Sequence, residues 1–263
     1  MHYWIENHLN LIQFSPYIFI ASIIIFLLIG WLYGRYRLRN SRDIIVRDSL
    51  ATAIFGLSAL VLGFTFSGAN DHFGQRAALL RQQASVISQA YQSSKYLNAS
   101  DRVKTQIDLK QLLETRLAVY GHVKTMDDLN TNLALLTQQL NQLNEEVTIS
   151  ISRAPADTKV LADNILRPQL AQLMNVFQAG ILNAKHHPPA IIERFLFVLL
   201  SVGSLLSGYA MAVQKEEDWF LTALYLGLMG FALYVIFSLE FPNQLLNFDG
   251  LNSDFLRLQK ELS

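Results

Sequence analysis

Residues 50–69 read LATAIFGLSALVLGFTFSGA, and residues 70–92 continue with NDHFGQRAALLRQQASVISQAYQ. The first of these segments carries no charge and is about as long as a helix that crosses a bilayer. The second segment turns polar but contains no proline that would end a helix. The sequence therefore predicts one long helix that crosses the membrane and continues beyond it.

Two faces of this predicted helix carry small or hydroxyl side chains. Gly56 and Gly63 lie two turns apart, and Ser67 follows one turn later. Small residues let helices approach closely in lipid, so these three positions are predicted to pack against another helix. Ser58 and Thr65 are also seven residues apart and share a second face. The pattern is compatible with a helix around a polar pathway and with an ordinary packed span.

The composition limits the class of protein. Of the 263 residues, 51% are hydrophobic, the formal net charge is zero, and cysteine is absent. Basic residues do not outnumber acidic ones, which argues against nucleic acid as a partner. The missing cysteine excludes disulfides, thiolate metal sites and a cysteine nucleophile. The apolar residues fall in four runs, which indicates an integral membrane protein with one polar block.

Two of the four apolar runs precede the polar domain, and two follow it. The predicted spans are residues 17–33, 50–69, 195–213 and 219–239. The predicted organisation is a leader with spans one and two (1–69), a helical domain (70–193), spans three and four (194–241) and a tail (242–263). The fold class is therefore all-α, with two plus two transmembrane helices flanking a large, partly coiled-coil domain.

Basic residues predict the orientation. Five arginines follow the first span within a short loop: Arg35, Arg37, Arg39, Arg42 and Arg47. Short loops rich in arginine stay in the cytoplasm. The amino terminus and the domain are therefore expected outside. A cleaved signal peptide would carry its positive charge before the apolar run, whereas here the charge follows it. The first span is therefore expected to remain in the protein as an uncleaved helix.

The polar block reads as helices throughout. Ser100 and Asp101 are expected to cap one helix, Thr125 opens the next, and Pro168 marks a kink in the last. One helix has an unbroken seam of apolar residues at steps of four and three: Leu129, Leu133, Leu136, Leu140, Leu143 and Val147. Such a seam serves either a coiled coil between copies or a bundle within one chain.

The sequence offers few residues that could form a catalytic or metal-binding site. We considered these acidic or histidine positions: Asp127–Asp128, Glu145–Glu146, His186–His187 and Glu240. Adjacent residues on a helix point apart, and Glu240 ends a span, so all are interpreted as solvated side chains. The sequence shows no triad order, HExxH or phosphate loop. We therefore predict no catalytic residues, no metal site, no cofactor and no enzyme.

The residues around the second span resemble the signature of a bacterial bestrophin-like membrane family. That signature has a leucine-rich span ending in Gly-Phe-Thr-Phe-Ser, matched by residues 63–67. The match continues at Ala69, Asp71 and Arg76. Three later positions depart from the usual Glu, Asn and Gly, namely Gln83, Ser85 and Ser88.

The resemblance implies four spans split around a helical domain, similar to bestrophin chloride channels. Those are pentamers in which the second span lines the pore, and the setting would be the cytoplasmic (inner) membrane of a bacterium. Bestrophins hold their large domain in the cytoplasm, whereas the arginine pattern here predicts it outside. The departure at Gln83 means that a role requiring a glutamate charge does not carry over.

The leading hypothesis is a homo-oligomeric ion channel in the lipid bilayer. Its pore would be lined by Ser58, Leu62, Thr65 and Phe66, with Leu62 or Phe66 forming a hydrophobic constriction. Only the resemblance to bestrophin chloride channels suggests chloride as the candidate ion. The alternative is a non-conducting membrane scaffold or sensor whose helical domain binds a protein partner.

Overall fold

The computed structural model describes residues 14–40, 48–119, 123, 125–185, 190–214, 218–240, 250 and 252–262. Every regular element in these ranges is helical. The principal helices are α1 (Ser15–Asn40), α2 (Asp48–Ser93), α3 (Ala99–Ala118), α4 (Met126–Ser152), α5 (Arg167–Lys185), α6 (Ala190–Gln214), α7 (Trp219–Glu240) and α8 (Ser253–Leu262).

Helix α2 is the continuous helix that its sequence predicts. Its 46 residues give it a length of about 70 Å, more than twice the thickness of a bilayer's hydrocarbon core. The membrane-spanning half and the domain half are therefore parts of one uninterrupted helix.

Four helices in the described part of the chain are long and apolar enough to cross a membrane: α1, α2, α6 and α7. Among them α1 and α6 approach most closely. A Cβ on Gly30 would overlap the backbone of Leu205, and a Cβ on Gly208 would overlap the backbone of Leu27. Glycine at these two positions is what lets the two backbones touch. The predicted all-α membrane fold is confirmed.

The domain is a bundle around one apolar core, built from the second half of α2 with α3, α4, α5 and α8. All six residues of the α4 seam lie in this core, and none is more than 5% exposed. The seam therefore packs within its own chain, which decides between the two alternatives left open by the sequence. The carboxyl-terminal helix α8 closes the bundle with Phe255 and Leu258.

The helices begin and end where the local sequence predicts, with one correction to a capping residue. Asn98, rather than Ser100 or Asp101, caps α3, and its side chain accepts a hydrogen bond from the Asp101 amide. Thr125 caps α4 as predicted and forms a capping box with Asp128. A π-helical turn, Ala162–Leu166, leads into α5 just before Pro168. Since proline lacks an N–H, the irregular turn falls where a kink was predicted.

Some predicted features lie outside the described residues. They are the leader, Arg42, Arg47, and the pair His186–His187. Their proposed roles stay predictions.

Candidate functional site

One side of the spanning half of α2 packs against the chain's own helices. Ser58 is 1% exposed, and its hydroxyl donates to the Ile54 carbonyl at 2.7 Å while facing Gly203 of α6. Thr65 donates to the Val61 carbonyl at 2.8 Å. Leu62 packs against the apolar cluster of the spans. The hydroxyl groups are thus satisfied by their own helix, and Ser58 is buried within the single chain.

The opposite side of α2 is exposed from Gly56 to Ser85. Only 11% of the most apolar window of α2 is buried in the chain, against 50% of that in α6. Successive exposed residues follow steps of four and three, which keeps them on one face. We call this face the open stripe; its members are Gly56, Leu60, Gly63, Ser67, Asn70, Gly74, Ala78, Arg81 and Ser85.

The open stripe differs in chemistry from the other exposed faces in the membrane. Helices α1 and α7 expose large apolar side chains, including Leu32, Phe220 and Phe231. Such faces suit lipid. The stripe instead carries glycine, serine and asparagine, together with Leu60 and Arg81. Other exposed residues of α2 border it: Leu57, Phe64, Phe66 and Asp71. Small and polar groups gain little from lipid, so this face suits water or another copy of the chain.

The predicted packing residues Gly56, Gly63 and Ser67 belong to this open stripe. No atom of the chain lies within 4 Å of a Cβ built on Gly56 or Gly63. The close helix contact predicted for them is therefore not made within the single chain, and it stays a prediction for contact between copies. Phe66 is exposed on the flank of the stripe. A pore-lining role stays a prediction for Ser58, Leu62, Thr65 and Phe66.

Glu240, predicted to be solvated at the end of the last span, is in fact buried. It is 4% exposed and lies against two residues of α2. His72 Nδ1 is 3.4 Å from one carboxylate oxygen and an Arg76 guanidinium nitrogen is 3.5 Å from the other, while Arg76 also donates to the Glu240 carbonyl. The sequence signal was the four-residue spacing of His72 and Arg76, which continues the inward face of Ser58.

Gln83, where the family signature has glutamate, is a structural residue. It is 2% exposed. Its carbonyl oxygen accepts a hydrogen bond from Arg116 at 2.9 Å, and its amide donates to the Val176 carbonyl at 3.3 Å. A Cβ on Gly180 would overlap this amide, so Gly180 leaves room for it. A neutral amide thus links α2 to α3 and α5 without needing the glutamate charge.

The domain surface carries one group of interacting charges between α3 and α4. Lys104 lies 2.8 Å from Glu146. Partial burial raises the pKa of Asp108, and the negative charge of Glu146 and the hydrogen bond that protonated Asp108 donates to Glu146 act in the same direction. The hydrogen bond from Lys104 lowers the pKa of Glu146. Exposed Glu145 takes no part, and within the described residues no three His, Asp or Glu side chains could share a metal ion.

A scan against protein-family models and a search of curated proteins gave no match. Solved structures match along nearly the whole chain. Two variants of a bacterial bestrophin homolog from Klebsiella pneumoniae have TM-scores of 0.66 and 0.65, at 14% and 15% identity, covering 96% of this chain and 98% and 99% of theirs. Another solved membrane protein has a TM-score of 0.67 at 15% identity, covering 92% of this chain and 96% of its own. The resemblance is thereby confirmed for the fold: this chain is a helical membrane protein with the fold of the bacterial bestrophin homologs.

Proposed function

We propose that several copies of the chain surround an axis in the cytoplasmic membrane of a bacterium and conduct ions along the open stripe of α2. The observation that carries this proposal is the stripe itself, a small and polar face about 44 Å long between Gly56 and Ser85. In a symmetric assembly each stripe residue is repeated as a ring at one depth. Such rings form a polar path that lipid does not reach.

The proposal places the narrowest point at Leu60. Its neighbours on the stripe, Gly56 and Gly63, have no side chains, and the exposed rings of Phe64 and Phe66 lie on opposite flanks of the stripe, so Leu60 is the large side chain nearest the middle of this face. A ring of apolar side chains excludes water from a narrow neck and thereby limits conduction. Leu62 packs against the chain's own spans. Under this proposal it does not face the axis, and it serves as a matched control for Leu60.

Planar bilayer recordings test this proposal. Purified wild-type protein should pass current, and Leu60→Ala should raise the single-channel conductance roughly twofold or more because it widens the neck. Leu62→Ala should leave the conductance near the wild-type value and lower the thermal stability in detergent, since it opens a cavity in packed protein. Correctly assembled wild type and Leu60→Ala that both carry no current would overturn the channel proposal.

A second candidate function, a non-conducting scaffold, draws on the domain surface. Val103 and Ile107 lie one turn apart on α3, and each is 57% exposed. Two such side chains on one face form a small apolar patch for another protein. If the protein is a scaffold, it should assemble fully and pass no current. The planar bilayer recordings described above distinguish this outcome from conduction.

The orientation remains a proposal, with the domain outside the cytoplasm. The absence of native cysteine makes labelling with an impermeant thiol reagent clean. In spheroplasts, Asn141→Cys on the exposed face of α4 should react in intact cells, and Asn40→Cys at the end of α1 should react only after lysis. The reverse pattern would place the domain in the cytoplasm.

A further inference from the structure

A cavity of about 390 Å³ lies between α2 and α5. Four of its lining side chains carry N–H donors: His72, Gln75, Arg76 and Asn183. Two others, Leu79 and Leu182, give it an aliphatic wall. Among the described residues that line the cavity there is no carboxylate. The cavity therefore combines a group of hydrogen-bond donors with a surface that suits hydrocarbon.

The cavity lies where the spans meet the domain. Helix α7 has 22 residues and is about 33 Å long, which matches the hydrocarbon core of a bilayer. Its last residue, Glu240, lies 3.4 Å from His72 and 3.5 Å from Arg76. These two donors are thus level with the end of a span, where phospholipid headgroups lie. Leu182 at the cavity is 58% exposed, so its apolar surface is open to a ligand.

Arg76 keeps donors for a ligand although it pairs with Glu240. A guanidinium has five N–H donors, and the recorded bonds to the Glu240 carboxylate and carbonyl use two of them. The His72 side chain is 37% exposed and adds a second positive charge when it is protonated. Because Glu240 offsets one charge, the cavity suits an anion with a single charge and several acceptor oxygens. A phosphate diester has these properties, whereas free phosphate carries more charge at neutral pH.

We infer that this cavity binds the phosphate group of a membrane phospholipid. The phosphate oxygens accept hydrogen bonds from the N–H groups of the cavity, and the glycerol and acyl part covers the aliphatic wall at Leu182. Inorganic phosphate offers the same oxygens but buries no hydrocarbon there, so it gains less from the site. The inference does not depend on conduction. Such a lipid would tie α2 to α5 beside the end of α7.

Thermal unfolding of the purified protein in detergent tests the inference. We expect excess phosphatidylglycerol to raise the melting temperature by about 5 °C or more, because a ligand that binds only the folded protein stabilises it. Diacylglycerol with the same acyl chains lacks the phosphate, and inorganic phosphate lacks the chains. Each should raise the melting temperature by less than about 1 °C. An equal rise with diacylglycerol would show that the phosphate is not recognised, and an equal rise with inorganic phosphate would show that the ligand is not a lipid. Either result overturns the inference.

Two variants test whether the cavity is the site. Gln75→Glu and Asn183→Asp each place a negative charge in it with little change in shape, and each should reduce the rise caused by phosphatidylglycerol by about half or more. Each rise is measured against the lipid-free melting temperature of the same variant. Gln82→Glu and Asn175→Asp are the controls, since they make the same changes at exposed positions of α2 and α5 outside the cavity. Equal reductions in cavity and control variants would contradict the inference.

A third measurement needs no substitution. Phosphatidylglycerol with a photoreactive group on its headgroup is added to the wild-type protein, irradiated, and located by mass spectrometry of the digested chain. We expect the label on peptides that contain residues 72–79 or 179–183. Labelling only at other positions would show that the headgroup binds elsewhere.

Discussion

Gly208→Ala is expected to destroy the folded membrane half of the protein. A Cβ at this position would overlap the Leu27 carbonyl group and come within 2.9 Å of the Trp31 nitrogen. These are backbone atoms of α1 and cannot rotate away, so α1 and α6 must separate. We expect a loss of more than about 3 kcal/mol, at the upper end of the cost of overpacking. The readouts are the melting temperature and the size-exclusion peak in detergent.

Matched glycine variants make this test specific. Gly30→Ala meets the Leu205 backbone from the other helix and should have a similar effect. Gly227→Ala adds the same methyl group on the exposed side of α7, where no atom of the chain lies within 4 Å, and should leave the melting temperature nearly unchanged. Equal stability of Gly208→Ala and Gly227→Ala would mean that α1 and α6 do not pack as described.

Glu240→Ala is expected to cause the second-largest loss. Its carboxylate is buried beside Arg76, whose side chain is 17% exposed, and removal leaves that guanidinium without its charged partner and with only the backbone carbonyl of residue 240 as an acceptor there. Breaking a buried ion pair by deleting one member typically costs about 3–5 kcal/mol. Because the pair joins α2 to the end of α7, we expect both a lower melting temperature and looser association of the two helices.

The control is an exposed ion pair elsewhere in the chain. Glu261 pairs with Arg257 within α8, and Glu261→Ala should cost at most about 1 kcal/mol. The double variant Arg76→Gln with Glu240→Gln should be more stable than the sum of the two single losses implies, since neither charge is left alone. Strict additivity of the two single variants would show that Arg76 and Glu240 do not interact.

Local sequence alone determined the elements of this protein. An uncharged run of bilayer length, the absence of proline after it, and apolar spacing at steps of four and three predicted α2 and the α4 seam. The caps at Thr125 and the irregular turn before Pro168 likewise depend on residues only a few positions away. These features are readable because the interactions that create them are local.

The site, in contrast, depends on which side of α2 the other helices cover. Sequence spacing identified two faces of α2, a hydroxyl face with Ser58 and Thr65 and a small face with Gly56, Gly63 and Ser67, but it did not tell which one the chain would bury. The structure buries Ser58 of the hydroxyl face against α6, leaves Thr65 partly exposed, and leaves the small face open. The burial of Glu240 is a similar case. Its partner Arg76 is 164 residues earlier in the chain, so the two side chains meet only because α2 and α7 pack together. Periodicity defines faces, whereas only packing between distant segments decides which of them is covered.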